Sequence, residues 1–262
     1  MTTRYGGSRK RPAPPEGGAR TPEAVSATGP GLPGGALFRQ RWTDLLFAHW
    51  AVEPGAVAPL FPPGTRPDVL DGKTYVGLVF FGMRDLAFPR GPALPFADRF
   101  EEINVRLYSV DDAGRRGVVF LSLDCDRLLP VVAANGAFGL PYRWATARCD
   151  RFDERILYSA RRRGLRRPRS RLWAALEGPE RDPNPLEDFL TARWRLHGRA
   201  LGRTFHWPLH HEPWRFRDAA LLHLEDELVH AATGLRVAAS PPSSLLYSPG
   251  LSVRFGRPLP LR

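Results

Sequence analysis

Lysine is almost missing from this chain. Of its 38 basic residues only Lys10 and Lys73 are lysines; the other 36 are arginine. A desolvated amine of depressed pKa, the form that attacks carbonyls, therefore has two candidate positions, one in a Gly/Pro-rich tail and one in a turn. Cysteine is as scarce. Cys125 and Cys149 make no disulfide framework and suit small buried apolar roles in a reducing compartment. No run of 18 apolar residues occurs and no basic-then-apolar leader opens the chain, so neither membrane spanning nor secretion is expected and a cytoplasmic location is. There is no internal repeat and no phosphate-cradling glycine loop. His206, His210 and His211 cluster, but Pro208 separates the first two and nothing completes a ligand set. No metal and no cofactor is expected.

What is present is a length of 262 residues, enough for a sizeable core. Residues 1–36 are rich in Gly, Pro, Ala, Ser and Thr and cannot bury enough surface to offset their ordering entropy, so they are expected to be disordered. A single domain is expected over 37–262. The formal charge of +11 is concentrated. The tail holds five basic and two acidic residues. The run Arg161 to Arg171 holds seven arginines and no acid. Together they account for all but about one of the net charges, so the domain is not basic overall.

One stretch organises the rest. From Glu102 the segment Glu102-Ile103-Asn104-Val105-Arg106-Leu107 alternates polar and apolar residues, the period of a strand. Ile103, Val105 and Leu107 face one way; Glu102, Asn104 and Arg106 face the other. A carboxylate, an amide and a guanidinium can accept a proton, fix a carbonyl and clamp an acid. The same set also suits a solvated face with a cross-strand ion pair. Asp111 to Gly117 is a turn, and Val118 to Asp126 is the returning strand. With Gly114 at the centre, Arg106 faces Ser122, Asn104 faces Asp124 and Glu102 faces Asp126. The expectation is the parity of that pairing, not its register.

Other elements follow from local signals. A short helix is read over Ala56 to Leu60, a long apolar strand over Thr74 to Met83, and a loop over Phe88 to Asp98 that can serve as lid or connector. Two glycines in the apolar strand point to curvature or close backbone approach. A short helix is read after Pro130 and an amphipathic one over Pro185 to Trp194; the stretch from Arg217 reads either as a helix capped by Asp218 or as a strand over Ala219 to Leu224 with a helical turn over Glu227 to Ala232. Ser248-Pro249-Gly250 reads as a turn between closing strands. His49, between aromatics, reads as core-edge packing. His211 reads as a hydrogen-bonding residue packed by Trp214.

Several segments together resemble the YqjF-like family, a domain of unknown function placed with acetoacetate decarboxylase in one superfamily. They are Phe47 to Trp50, Pro62-Pro63-Gly64, Asp71-Gly72, Glu102 to Arg106, Phe120 to Asp124, Gly139-Leu140-Pro141-Tyr142, Asp188 to Trp194 and His211 to Trp214. The resemblance spans roughly 37 to 260. It implies an α+β fold, a curved, mostly antiparallel β-barrel or cone with a few short helices and an interior pocket. It also implies that Glu102 corresponds to the decarboxylases' pocket carboxylate. Their Schiff-base lysine sits in a Gly-aromatic-Pro-Lys segment, and here Tyr142 stands in its place. With Lys10 and Lys73 the only amines, imine chemistry is argued against.

The site expected from residues and resemblance has Glu102 and Tyr142 as catalytic groups, with Asn104, Arg106, Arg143, Ser122 and His211 around the ligand. The leading reading is a small-molecule pocket for a carboxylate or carbonyl compound, with proton transfer as the enzymatic version. Whether anything is turned over is left open, as is the oligomeric state. A noncatalytic ligand- or partner-binding module is the alternative. Nucleic acid is disfavoured: the arginine run 161–171 has no aromatic within it, and a solvated surface explains it.

Overall fold

Thirteen strands, three short α-helices and two 3-10 helical turns (Ala58–Leu60 and Val237–Ala239) make up the regular structure of the described residues, which in this computed structural model are 20–95, 99–127 and 139–261. The strands are β1 (Phe38–Val52), β2 (Thr65–Pro67), β3 (Thr74–Ala87), β4 (Arg99–Asp111), β5 (Arg116–Cys125), β6 (Tyr142–Phe152), β7 (Arg155–Arg162), β8 (Arg169–Arg181), β9 (Arg195–Ala200), β10 (Arg203–His211), β11 (Phe216–Asp226), β12 (Ser244–Phe255) and β13 (Leu259–Pro260). The helices are α1 (Pro54–Val57), α2 (Pro185–Thr191) and α3 (Leu228–Thr233). All strands join one mixed sheet, ordered β13-β10-β9-β5-β6-β7-β8-β11-β12-β1-β3-β4-β2, with further pairings of β10 to β12 and β5 to β4. Pairing is antiparallel except where β5 meets β6 and β9.

Local chemistry fixes the helix ends. Asn184 and Glu187 exchange hydrogen bonds in a capping box, and Pro185 fits the first helical position, where no N–H is needed. Gly234 adopts φ +76° and stops α3.

Strands β3 and β4, and β1 from Leu45 to Trp50, are buried on both faces, which is why β3 reads as nearly continuous apolar sequence. On one face Leu46, Ala48, Val76, Leu78, Phe80, Ile103, Val105 and Leu107 meet Ile156, Tyr158, Leu172 and Leu228. On the other Leu45, Phe47, Val79, Phe81, Met83 and Phe100 gather with Trp214 and Phe216.

Three expectations need correction. Residues 20–36 are not free of the domain. Arg20 and Glu23 donate backbone hydrogen bonds to Asp112 and Gly114, the Glu23 carboxylate pairs with Arg195, and the Trp194 indole donates to Ser26. Specific polar anchors offset the ordering entropy that composition alone leaves uncovered. Residues 1–19 lie outside the described residues, as does the helix read after Pro130. Ser248-Pro249-Gly250 is not a turn; it lies within β12, where Gly250 (φ +126°) passes so close to Trp42 that a Cβ would sit 2.1 Å from its carbonyl oxygen. Third, the predicted parity of β4 on β5 survives only near the turn. Arg106 pairs with Phe120 and Leu107 with Val119. A bulge then inserts Leu121, and beyond it Asn104 pairs with Leu123 and Glu102 with Cys125.

Candidate functional site

The polar side of β4 looks inward. Glu102, Asn104 and Arg106 are only 2%, 4% and 9% exposed, and all three line a cavity of about 490 Å³, a common size for ligand pockets. Of its 22 lining residues only Gln40, Glu102, Asn104, Arg106 and Tyr142 are polar. The remaining wall is aliphatic and aromatic, with Phe47 from β1, Val79 and Phe81 from β3, and Phe120 and Leu123 from β5.

Tyr142 reaches Glu102 through the short parallel pairing that sets it beside Leu123. Gly139 precedes it in a left-handed conformation, φ +62°, where a Cβ would lie 2.7 Å from the Arg199 carbonyl. The Tyr142 hydroxyl donates to a Glu102 carboxylate oxygen at 2.9 Å. Burial pushes the Glu102 carboxyl up to about 7; hydrogen bonds from Tyr142 and Asn104 oppose that, and the Asp124 charge adds to it. Glu102 is thus poised to hold or release a proton near neutrality. Burial first, and Glu102 second, push the Tyr142 phenol well above its usual range, so it stays a donor.

Arg106 is the site's cation. Its Nε donates to the Tyr108 hydroxyl at 3.2 Å and its Nη2 to the Leu190 carbonyl at 3.0 Å, and the guanidinium lies 5.5 Å from the Phe47 ring centre. Gly77, its cross-strand neighbour on β3, leaves the space it occupies: a Cβ there would sit 2.8 Å from the Tyr108 hydroxyl and 3.2 Å from Arg106 Cγ. Among the described residues no carboxylate lies within 4.0 Å of Arg106, and Asn104 Oδ1 is buried without a partner.

The bulge excludes two expected contacts. Ser122, predicted at the ligand, pairs with Val105 and takes the apolar face, away from the cavity. Asp124 goes with it and binds the Arg162 guanidinium through both oxygens, at 2.6 and 2.8 Å. Arg143 is exposed, because Tyr142 takes the inward position and its neighbour on the strand must point out. His211 is buried but does not line the cavity. It packs between Trp194 and Trp214, its Nδ1 bonded to the Glu212 carbonyl, and burial lowers it to about 4. His49 is fully buried, with both ring nitrogens unpartnered and its pKa held well below the usual value by burial and the charges of Arg106 and Arg193. No group of three or more His, Cys, Asp or Glu among the described residues is arranged to hold a metal ion. Leu94 and Pro95 of the Phe88–Asp98 loop line the cavity; residues 96–98 lie outside the described residues. Lys73, the only described lysine, sits in its turn paired with Glu53, far in character from a desolvated amine.

The model of a family of uncharacterized conserved proteins, DUF2071, matches residues 39–252. The chain belongs to the DUF2071 family. The uncharacterized protein YqjF of Bacillus subtilis is 30% identical over 191 residues, 70% of this chain and 76% of that one. In fold the DUF2071 chain is similar to an acetoacetate decarboxylase of Legionella pneumophila, at 12% identity and a TM-score of 0.62 over 92% of each chain. It is also similar to an acetoacetate decarboxylase-like enzyme of Sphingomonas wittichii, at 14% identity and a TM-score of 0.60 over 87% of this chain and 93% of that one. The enduracididine biosynthesis enzyme MppR, complexed with pyruvate, is similar at 15% identity and a TM-score of 0.53 over 85% and 88%. These likenesses establish the fold relationship of this DUF2071 member, a mostly antiparallel mixed sheet with short helices.

Proposed function

We propose that this protein binds a small carboxylate- or carbonyl-bearing compound in the β4 cavity and moves a proton on it without forming an imine. The observation that carries the reading is Arg106. A guanidinium removed from water is costly unless an anion meets it, and no carboxylate of the described residues lies within 4.0 Å of this one. A ligand carboxylate supplies the missing charge through a two-pronged hydrogen bond. Glu102 is the proton-transfer group and Tyr142 holds it in place. The pairing of β4 with β5 supports a sheet wrapped about the cavity as a barrel or cone, and a fold neighbour complexed with pyruvate supports a keto acid as ligand class.

In the catalytic version ionised Glu102 takes a proton from carbon next to a carbonyl. The C–H pair moves into the C–C bond, the carbonyl pair moves onto oxygen, and the Asn104 amide steadies the enolate. The same carboxyl returns a proton to carbon. Incubation in heavy water with keto acids ranging from pyruvate to a ketodecanoate tests this by NMR. Exchange next to the carbonyl is expected to rise with pH through about 7, as Glu102 ionises, and to vanish in Glu102→Gln while binding persists. Binding without exchange in either form leaves a noncatalytic ligand-binding module, and absence of binding across the panel overturns the reading.

A further inference from the structure

Resting on that reading, we infer that the ligand is an elongated amphiphile: a carboxylate at one end, an apolar body, and a hydroxyl or carbonyl oxygen at the other. The inference comes from spacing along β4. Glu102 and Arg106 are four residues apart, about 13 Å of strand at roughly 3.3 Å per residue. Their side chains do not close that gap. The Arg106 guanidinium runs away from Glu102, toward the Tyr108 hydroxyl and the Leu190 carbonyl. Glu102 is held at its own end by Tyr142. An acid as short as pyruvate touches one end or the other, never both.

Apart from Asn104 and Gln40, the lining beyond the two ends is apolar. Val79 and Leu123 flank Asn104 on the neighbouring strands, Phe120 flanks Arg106, and Phe47 lies over the guanidinium. Asn104 stands midway along β4 but its side chain bonds toward Glu102, and its Oδ1 is a buried acceptor without a donor. The cavity thus offers a cation, a greasy span and a proton-exchanging acceptor end, in that order. An unbranched or aryl-bearing acid with a distal oxygen presents the complementary sequence.

Calorimetry on the full-length protein with butanoate, hexanoate, octanoate and decanoate, and with their ω-hydroxy counterparts, tests the order. Affinity is expected to rise about fourfold per methylene until the span is filled. The ω-hydroxyl is expected to weaken binding of the short acids and to strengthen it, by about tenfold, at the one length that reaches Asn104 and Glu102. Asn104→Leu is expected to abolish the difference between each ω-hydroxy acid and its plain counterpart. Affinity independent of length overturns the elongated ligand while Arg106-dependent anion binding stands. Acids that bind Arg106→Met as well as the native protein overturn the anion anchor and the inference with it.

Discussion

The two ends of β4 are both buried and both polar, yet they are built differently. At the turn end Asp111 accepts hydrogen bonds from Arg115 and from two backbone N–H groups, and Ser109 bonds His197 at 2.8 Å. Beside it Asp68 receives both Arg116 and the buried Arg193. At the cavity end Arg106 has no carboxylate among the described residues and Asn104 Oδ1 has no donor. Arg193 and Arg106 are the two arginines buried among the described residues, and only one is neutralised. That contrast between a paired and an unpaired buried arginine is what the proposed anion site rests on.

The largest expected effect breaks the comparison at its paired end. Asp68→Ala strands Arg193 and Arg116 and is expected to lower the free energy of unfolding in urea by about 3–5 kcal/mol. Arg106→Met removes a charge that has no partner, so stability is expected to hold or rise by up to about 2 kcal/mol. An Arg106→Met loss as large as that of Asp68→Ala would assign Arg106 to the scaffold.

The next effect is a pH dependence. The Glu102 carboxyl lies near 7 when folded and near its ordinary value of 4.5 when unfolded. Between those values the folded state binds more protons than the unfolded one, so this group makes stability fall as pH rises through the window, by up to about 3 kcal/mol. His206 and His211, lowered to about 4, push the other way, since the unfolded chain takes up their protons first. The difference between native protein and Glu102→Gln isolates the carboxyl. The variant is expected to gain relative stability steadily from pH 4.5 to above 7. A flat difference would mean that Glu102 is wetter than its burial indicates.

Much of this was legible in the sequence. Alternation along 102–107 placed Ile103, Val105 and Leu107 in the core and the three polar side chains opposite them, because a strand's period of two leaves no other choice. Composition could not say that both faces would be buried. That depends on β1, β3 and the strands across from them, which meet through long-range pairing. The bulge at Leu121 was hidden for a related reason. Nothing in Phe120-Leu121-Ser122 marks an inserted residue, yet that one insertion turned Ser122 and Asp124 out of the site and brought Leu123 in. Phe47, Val79 and Phe120 left no chemical signal, since an apolar residue lining a cavity reads the same as one filling a core.

Gly77 is the exception, and it supports the smallest and sharpest test. A glycine inside a long apolar strand asks for a reason, and the reason is Arg106 lying across it. An alanine there sits 3.2 Å from the flexible Arg106 Cγ, which can shift, but 2.8 Å from a hydroxyl on the fully buried Tyr108 ring, which cannot retreat. Gly77→Ala is expected to cost about 1 kcal/mol of stability by overpacking and to weaken binding of a medium-chain acid about tenfold by calorimetry. In an Arg106→Met background the binding penalty should disappear, because the space no longer positions a charge. A penalty that persists there would mean that Gly77 shapes the cavity wall itself, and that the orientation of the cation is set by Leu190 and Tyr108 alone.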